Sequence, residues 1–152
     1  MATEYTSIID QGVDTAENVI FYNTVIPCSK GYVVHRDGSG LFTLRGLTAQ
    51  CQSKARYLVT FAVNIAATSV ATGETPEISV ALALNGEALP ETISRATVGT
   101  SGQYYNVSRS VYIDVPKGCC VTLSLKNTSD DPIIALNALM TIDRVAYRRI
   151  LS

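Results

Sequence analysis

Side chains able to do chemistry are few in this chain, and their spacing argues against catalysis. The single histidine, His35, precedes the turn cluster Asp37-Gly38-Ser39-Gly40. A general base needs a partner that positions it, and a metal site of the cupin kind needs several histidines on one ion. One histidine beside a surface turn supplies neither. Ser39 lies between glycines but precedes a strand rather than a helix, and no Gly-x-Ser-x-Gly elbow or phosphate loop occurs. Glu74, Glu77, Glu87 and Glu91 gather around one predicted pair of strands, and paired acids can hydrolyse glycosides. That segment has no aromatic residue to act as a sugar platform, so its glutamates read as exposed solubilising charges. Asp130-Asp131, in a polar loop, are little to build a calcium site on. No catalytic residue, metal ligand or cofactor is assigned, and the expectation is a protein that is not an enzyme.

The four cysteines, Cys28, Cys51, Cys119 and Cys120, match no zinc spacing. Cys119 and Cys120 fall in a predicted strand, which points them to opposite faces, and the expectation is buried thiols acting as small hydrophobes. Cys28 and Cys51 form a disulfide only if the protein meets oxidising surroundings. Asn106-Val-Ser and Asn127-Thr-Ser match the glycosylation pattern by letters only, because the N-terminus has neither the basic start nor the apolar core of a secretory signal. Synthesis in the cytoplasm is expected, and no apolar run reaches the ~20 residues that insert into a membrane.

The elements that must position these residues are strands throughout. Val19 to Ile26 is rich in β-formers and stops at Pro27. Short strands follow at Gly31 to Arg36 and Leu41 to Arg45, then a long one from Arg56 to Ala67. Glu77 to Leu84 alternates and ends at Asn85-Gly86, a pair suited to a tight hairpin turn. Ala88 to Ala96 is weaker, and Pro90 argues for an edge. Tyr105 to Val115, Cys119 to Lys126 and Ile133 to Ala146 complete the set, the last with Leu136, Ala138, Met140 and Ile142 in phase. Asp14 to Asn18 reads as a short turn. The division expected is an N-terminal arm or attachment segment over 1–17, a β-sandwich over 18–147 and a tail over 148–152.

Two of these strands share an unusual property. In the long one, Tyr57, Val59, Phe61 and Val63 point one way and Leu58, Thr60, Ala62 and Asn64 the other, with no charge on either side. From Tyr104 to Tyr112, the face made by Tyr104, Asn106, Ser108, Ser110 and Tyr112 is also uncharged and part aromatic. A strand of a free-standing sandwich normally has one wet face. Uncharged second faces suggest a cover, and another copy of the same chain is the leading candidate. Composition agrees: 152 residues suit one domain, and charged residues are 16% of the chain against 47% hydrophobic, below the roughly 25% charged of an average soluble domain. The net charge of −1 gives no footprint for nucleic acid. Arg144, Arg148 and Arg149 read as a solvated end.

The motifs then fall into a known order. Gly38-Ser39-Gly40-Leu41-Phe42-Thr43-Leu44, followed by Tyr57-x-Val59-x-Phe61, resembles a signature of complement globular-head and tumour-necrosis-factor-like (TNF-like) jelly rolls. Val80 to Gly86, with its Asn85-Gly86, and Val111 to Gly118 followed by Val121-Thr122-Leu123 are similar to two more of its motifs, and Ala138 to Ile142 stands in place of the last. The match covers roughly residues 18–146. Cys119 replaces the usual aspartate, the last strand lacks an aromatic–glycine pair, and no Gly-X-Y repeat is present. These departures turn the comparison from animal receptor ligands towards bacterial and bacteriophage members, which form surface layers, spore coats, fibres or capsid decorations.

The resemblance implies an all-β antiparallel jelly-roll sandwich forming a compact homotrimer. Its axis would be packed by Leu58, Thr60, Ala62, Asn64, Tyr104, Asn106, Ser108, Ser110 and Tyr112. The expected function is a non-enzymatic structural or adhesive protein on a phage virion or a bacterial or spore surface. Capsid or surface-layer protein would be met through the arm, and a cell-surface glycan through loops such as 69–76 and 99–102. The alternative is a carbohydrate-binding module with Tyr104, Tyr105 and Tyr112 as its sugar platform.

Overall fold

In the computed structural model, residues 2–24, 31–48, 51–70, 73–99 and 102–145 are described below. Cys28, Val25-Ile26, parts of both expected recognition loops, Arg148, Arg149 and the 148–152 tail lie outside them. The strands are β1 (Ala2–Ser7), β2 (Gln11–Val13), β3 (Asn23–Thr24), β4 (Val33–His35), β5 (Phe42–Arg45), β6 (Lys54–Ala67), β7 (Glu77–Leu84), β8 (Glu87–Ala88), β9 (Ser94–Thr97), β10 (Tyr105–Pro116), β11 (Cys120–Asn127) and β12 (Ile133–Val145).

They form two antiparallel sheets. One runs β10-β6-β12-β1-β3, with β2 also on β12; the other runs β4-β5-β11-β7-β8, with β9 also on β7. Neighbours distant in sequence lie side by side, which is the jelly-roll arrangement. Alternation fills the space between the sheets. Tyr57, Val59, Phe61, Val63 and Ile65 of β6 are fully buried, as are Leu82, Leu123, Leu125 and Met140 from other strands. The Tyr57 hydroxyl donates to the Arg45 carbonyl and lies 3.0 Å from that of Tyr32, giving a buried phenol its polar partners. Burial pushes its pKa up.

Asn85 and Gly86 have φ of 52° and 85°, the paired positive values that the hairpin between β7 and β8 requires. Pro90–Thr92 forms a short 3-10 turn that splits the strand expected from Ala88 to Ala96. The two pieces lie at the edge of the sheet, where Pro90 costs no ladder bond.

Four expectations change. Of the 1–17 segment expected as an arm, Ala2–Ser7 and Gln11–Val13 pair along β12. Tyr5 is 3% exposed and meets Phe42 and His35 edge-on at centroid distances of 4.8 Å. The other inward positions of β1 are Thr3 and Ser7, so its core face reads as polar in sequence. Val19 to Thr24 is not a continuous strand: Asn18 and Phe21 make isolated bridges, and only Asn23–Thr24 pair with β1. In β12, Asn137 has φ of 53° and the register with β6 slips between Leu136 and Leu139. This bulge takes Leu136 out of phase with Ala138. Finally, Cys51, Cys119 and Cys120 are exposed free thiols rather than buried hydrophobes, because Cys119 falls in the turn before β11 and Cys120 opens that strand.

Candidate assembly interface

β6 lies between β10 and β12, and its outward side chains stand in rows with theirs. Tyr112, Leu58 and Asp143 are register partners; so are Ser110, Thr60 and Thr141; Ser108, Ala62 and Leu139; and Asn106, Asn64 and Leu136. Both uncharged faces read from the sequence therefore become one surface, and every predicted interface residue falls on it or, for Tyr104, directly before it. β12 widens it with Ile134, Leu136 and Leu139, all half-buried. Sequence reasoning missed this strip because the Asn137 bulge reverses the phase. The signal was available: an asparagine, which tolerates positive φ, lies between two leucines three residues apart.

Among the described residues, no layer covers the surface. Leu58, Thr60, Ala62 and Asn64 are half-buried by neighbouring side chains, while Asn106, Ser108 and Ser110 are exposed. Tyr104 and Tyr112 are 38% and 59% exposed. The polar members bond to each other: Thr60 and Ser110 hydroxyls are 2.7 Å apart, and the Asn106 amide donates to Asn64 Oδ1 at 3.0 Å. Such pairs enter an interface at low desolvation cost because they keep their partners. Charge enters with Asp143, in the row of Tyr112 and Leu58, and continues in the next row. The Arg56 guanidinium grips Asp114 at 2.9 and 3.2 Å, Lys54 reaches it at 3.2 Å, and Arg56 lies 5.5 Å from the Tyr112 ring centre. The hydrogen bonds from Arg56 hold the Asp114 carboxyl below its ordinary pKa. An uncharged centre with a charged rim matches the charge depletion found at the core of protein interfaces.

The candidate catalytic groups do not converge. His35 is half-buried, stacked on Phe42 at 4.4 Å, with Nε2 2.9 Å from the Ser39 carbonyl. Glu77 opens β7 and pairs with Arg95 at 3.0 Å, while Glu87, in β8, lies opposite Leu84 at the other end of β7. Asp130 and Asp131 line an open groove of about 400 Å³ with Glu77, Ser79, Arg95 and Thr128. Among the described residues, no three His, Cys, Asp or Glu side chains meet as a metal site. Arg144, expected at a solvated end, lies over the rings of Tyr32 and Tyr57 at 5.5 and 5.7 Å. The three-tyrosine sugar platform does not form. Tyr105 points to the opposite side of β10 from Tyr112, and Tyr104 and Tyr112 are eight residues apart, roughly 26 Å along an extended strand.

Compared with solved structures, this architecture is that of TNF and complement C1q globular domains. No protein-family model matches the sequence, and neither does any curated protein sequence. The chain is similar in fold to Eiger TNF from S. frugiperda, with a TM-score of 0.61, 11% identity, and 100% of this chain and 96% of that one covered. It is similar to the globular domain of the zebrafish complement 1qA protein, with a TM-score of 0.58, 10% identity, and 97% and 98% covered. Murine APRIL aligns with a TM-score of 0.57 at 10% identity, over 95% of this chain and all of that one. The jelly roll expected from the motifs is therefore the fold of the chain. At these identities the likeness concerns the fold alone.

Proposed function

We propose that the protein is a non-enzymatic structural or adhesive module that works as a homotrimer. One observation carries this reading: the outward face of β10, β6 and β12 is free of charge for three consecutive rows, with Thr60 bonded to Ser110, Asn64 bonded to Asn106, and Tyr112 presented at its end. A face built for water would carry lysines and glutamates there. Copies of the same chain are the occupant because the face matches itself in chemistry and ends at a charged rim. A closed threefold ring buries such a face without growing into filaments. Display on a phage virion or on a bacterial or spore surface, with capsid or surface-layer protein met through the N-terminal segment and a glycan through loops, fits a charge-poor trimer and the departures of its motifs from animal ligands.

Ala62→Arg tests the assembly. Ala62 points outward between Ser108 and Leu139, so an arginine there reaches solvent in a lone chain but meets the neighbour in a trimer. The expected result is a folded monomer with an unchanged circular dichroism spectrum. An Ala62→Arg protein that stays trimeric would show that this face lies outside the contact.

A further inference from the structure

Most strands at the sheet edges are short: β2, β3, β4, β8 and β9 have two to four residues, whereas β10 runs for 12. Among the described residues β10 pairs only with β6, so its other side carries a row of backbone N–H and C=O groups with no ladder partner. A long open edge is a template on which another chain can add a strand, and short edges limit such pairing by their length. β10 lacks that protection, and its sequence favours pairing. Tyr104 to Ile113 reads Tyr-Tyr-Asn-Val-Ser-Arg-Ser-Val-Tyr-Ile, rich in β-branched and aromatic residues, with neither proline nor glycine. Arg109 is the only charge in that run.

Arg109 stands on the core side of the sheet. Its register partner is Phe61, which is fully buried, and directly opposed residues share a face. Val107 and Val111, the neighbours of Arg109 on that face, are buried and half-buried, while Arg109 itself is exposed at the edge. Among the described residues the carboxylates in ion pairs are Asp114, with Lys54 and Arg56, and Glu77, with Arg95; Arg109 joins neither.

We propose that Arg109 guards the free edge of β10 against pairing with the β10 edge of a second copy. An incoming strand closes water off from the core-side row. An unpaired guanidinium then loses hydration with nothing in exchange. Where two β10 strands align antiparallel about position 109, two guanidinium groups stand opposite one another and repel. Backbone hydrogen bonds, small in net worth in water, do not offset this. With an apolar residue at 109, the row from Tyr105 through Val107, Val111 and Ile113 loses its one interruption. The outward residues Asn106, Ser108, Ser110 and Tyr112 lie on the other face of β10, so the inference does not rest on the trimer.

The test compares Arg109→Val, Arg109→Lys and Arg109→Glu with the parent, all as full chains, by sedimentation velocity across a concentration series. Hydrogen exchange of the 104–116 peptide is followed on the same samples. The expected result is a species heavier than the parent assembly in Arg109→Val alone, growing with concentration, with amide exchange slowed in 104–116 and the circular dichroism spectrum of a folded β-protein. Arg109→Lys and Arg109→Glu keep the parent mass, because either sign of charge guards the edge. Arg109→Val at the parent mass would overturn the proposal. So would association that speeds exchange in 104–116, which marks unfolding, or equal association of Arg109→Glu. The trimer reading is decided by the mass of the parent itself, so the two can fail separately.

Discussion

Individual side chains divide here between those that close the core and those that mark the border of the outward face. Tyr57 does the first: its ring is buried and its hydroxyl serves carbonyls of two other segments. Asp114 does the second, held by Arg56 and Lys54. Its carboxyl is easier to ionise in the folded chain than in the unfolded one. The pair therefore stabilises the fold above the ordinary carboxylate range, and that stability is lost as pH falls through the depressed value. Asp114→Asn should be slightly less stable than the parent near neutral pH and equal to it in strong acid, with the gap narrowed by salt. Urea midpoints across pH measure this; a gap that persists in strong acid would contradict it.

At the scale of elements, the strands with apolar alternation were legible and those without it were not. β6, β7 and β10 stand where their patterns put them because hydrophobic periodicity decides which face is buried. β1 escaped because Thr3 and Ser7 flank Tyr5 on the core side; the Thr3 hydroxyl donates to the Ile142 carbonyl at 3.3 Å, a partner 139 residues away. No local pattern announces such a bond. The β12 phase was misread because a bulge adds one residue without changing composition. Asn137 controls it. Asn137→Val places a β-branched residue at positive φ and should cost at least about 1–2 kcal/mol, seen as a melting temperature lowered by several degrees, whereas Asn137→Gly should change little. Equal stability of the two variants would show that the bulge does not depend on this residue.

For the whole molecule, the sandwich positions a broad outward face that none of the described residues covers. That face was the most legible part of the site, since charge depletion is visible strand by strand. The contribution of β12 was hidden by the bulge, and the exposure of Cys119 and Cys120 by the position of a turn. Both depend on where strands begin and slip, which pairing across the sheet decides. The sugar-platform alternative failed on elementary geometry, because Tyr104 and Tyr105 are neighbours in an extended chain and point apart.

The direct measurement is the mass in solution of the purified chain by light scattering or sedimentation equilibrium. A mass of three chains, held down to micromolar concentration, is what self-covering of the β10-β6-β12 face requires. A single-chain mass that persists as the protein is concentrated would mean that this face stays wet.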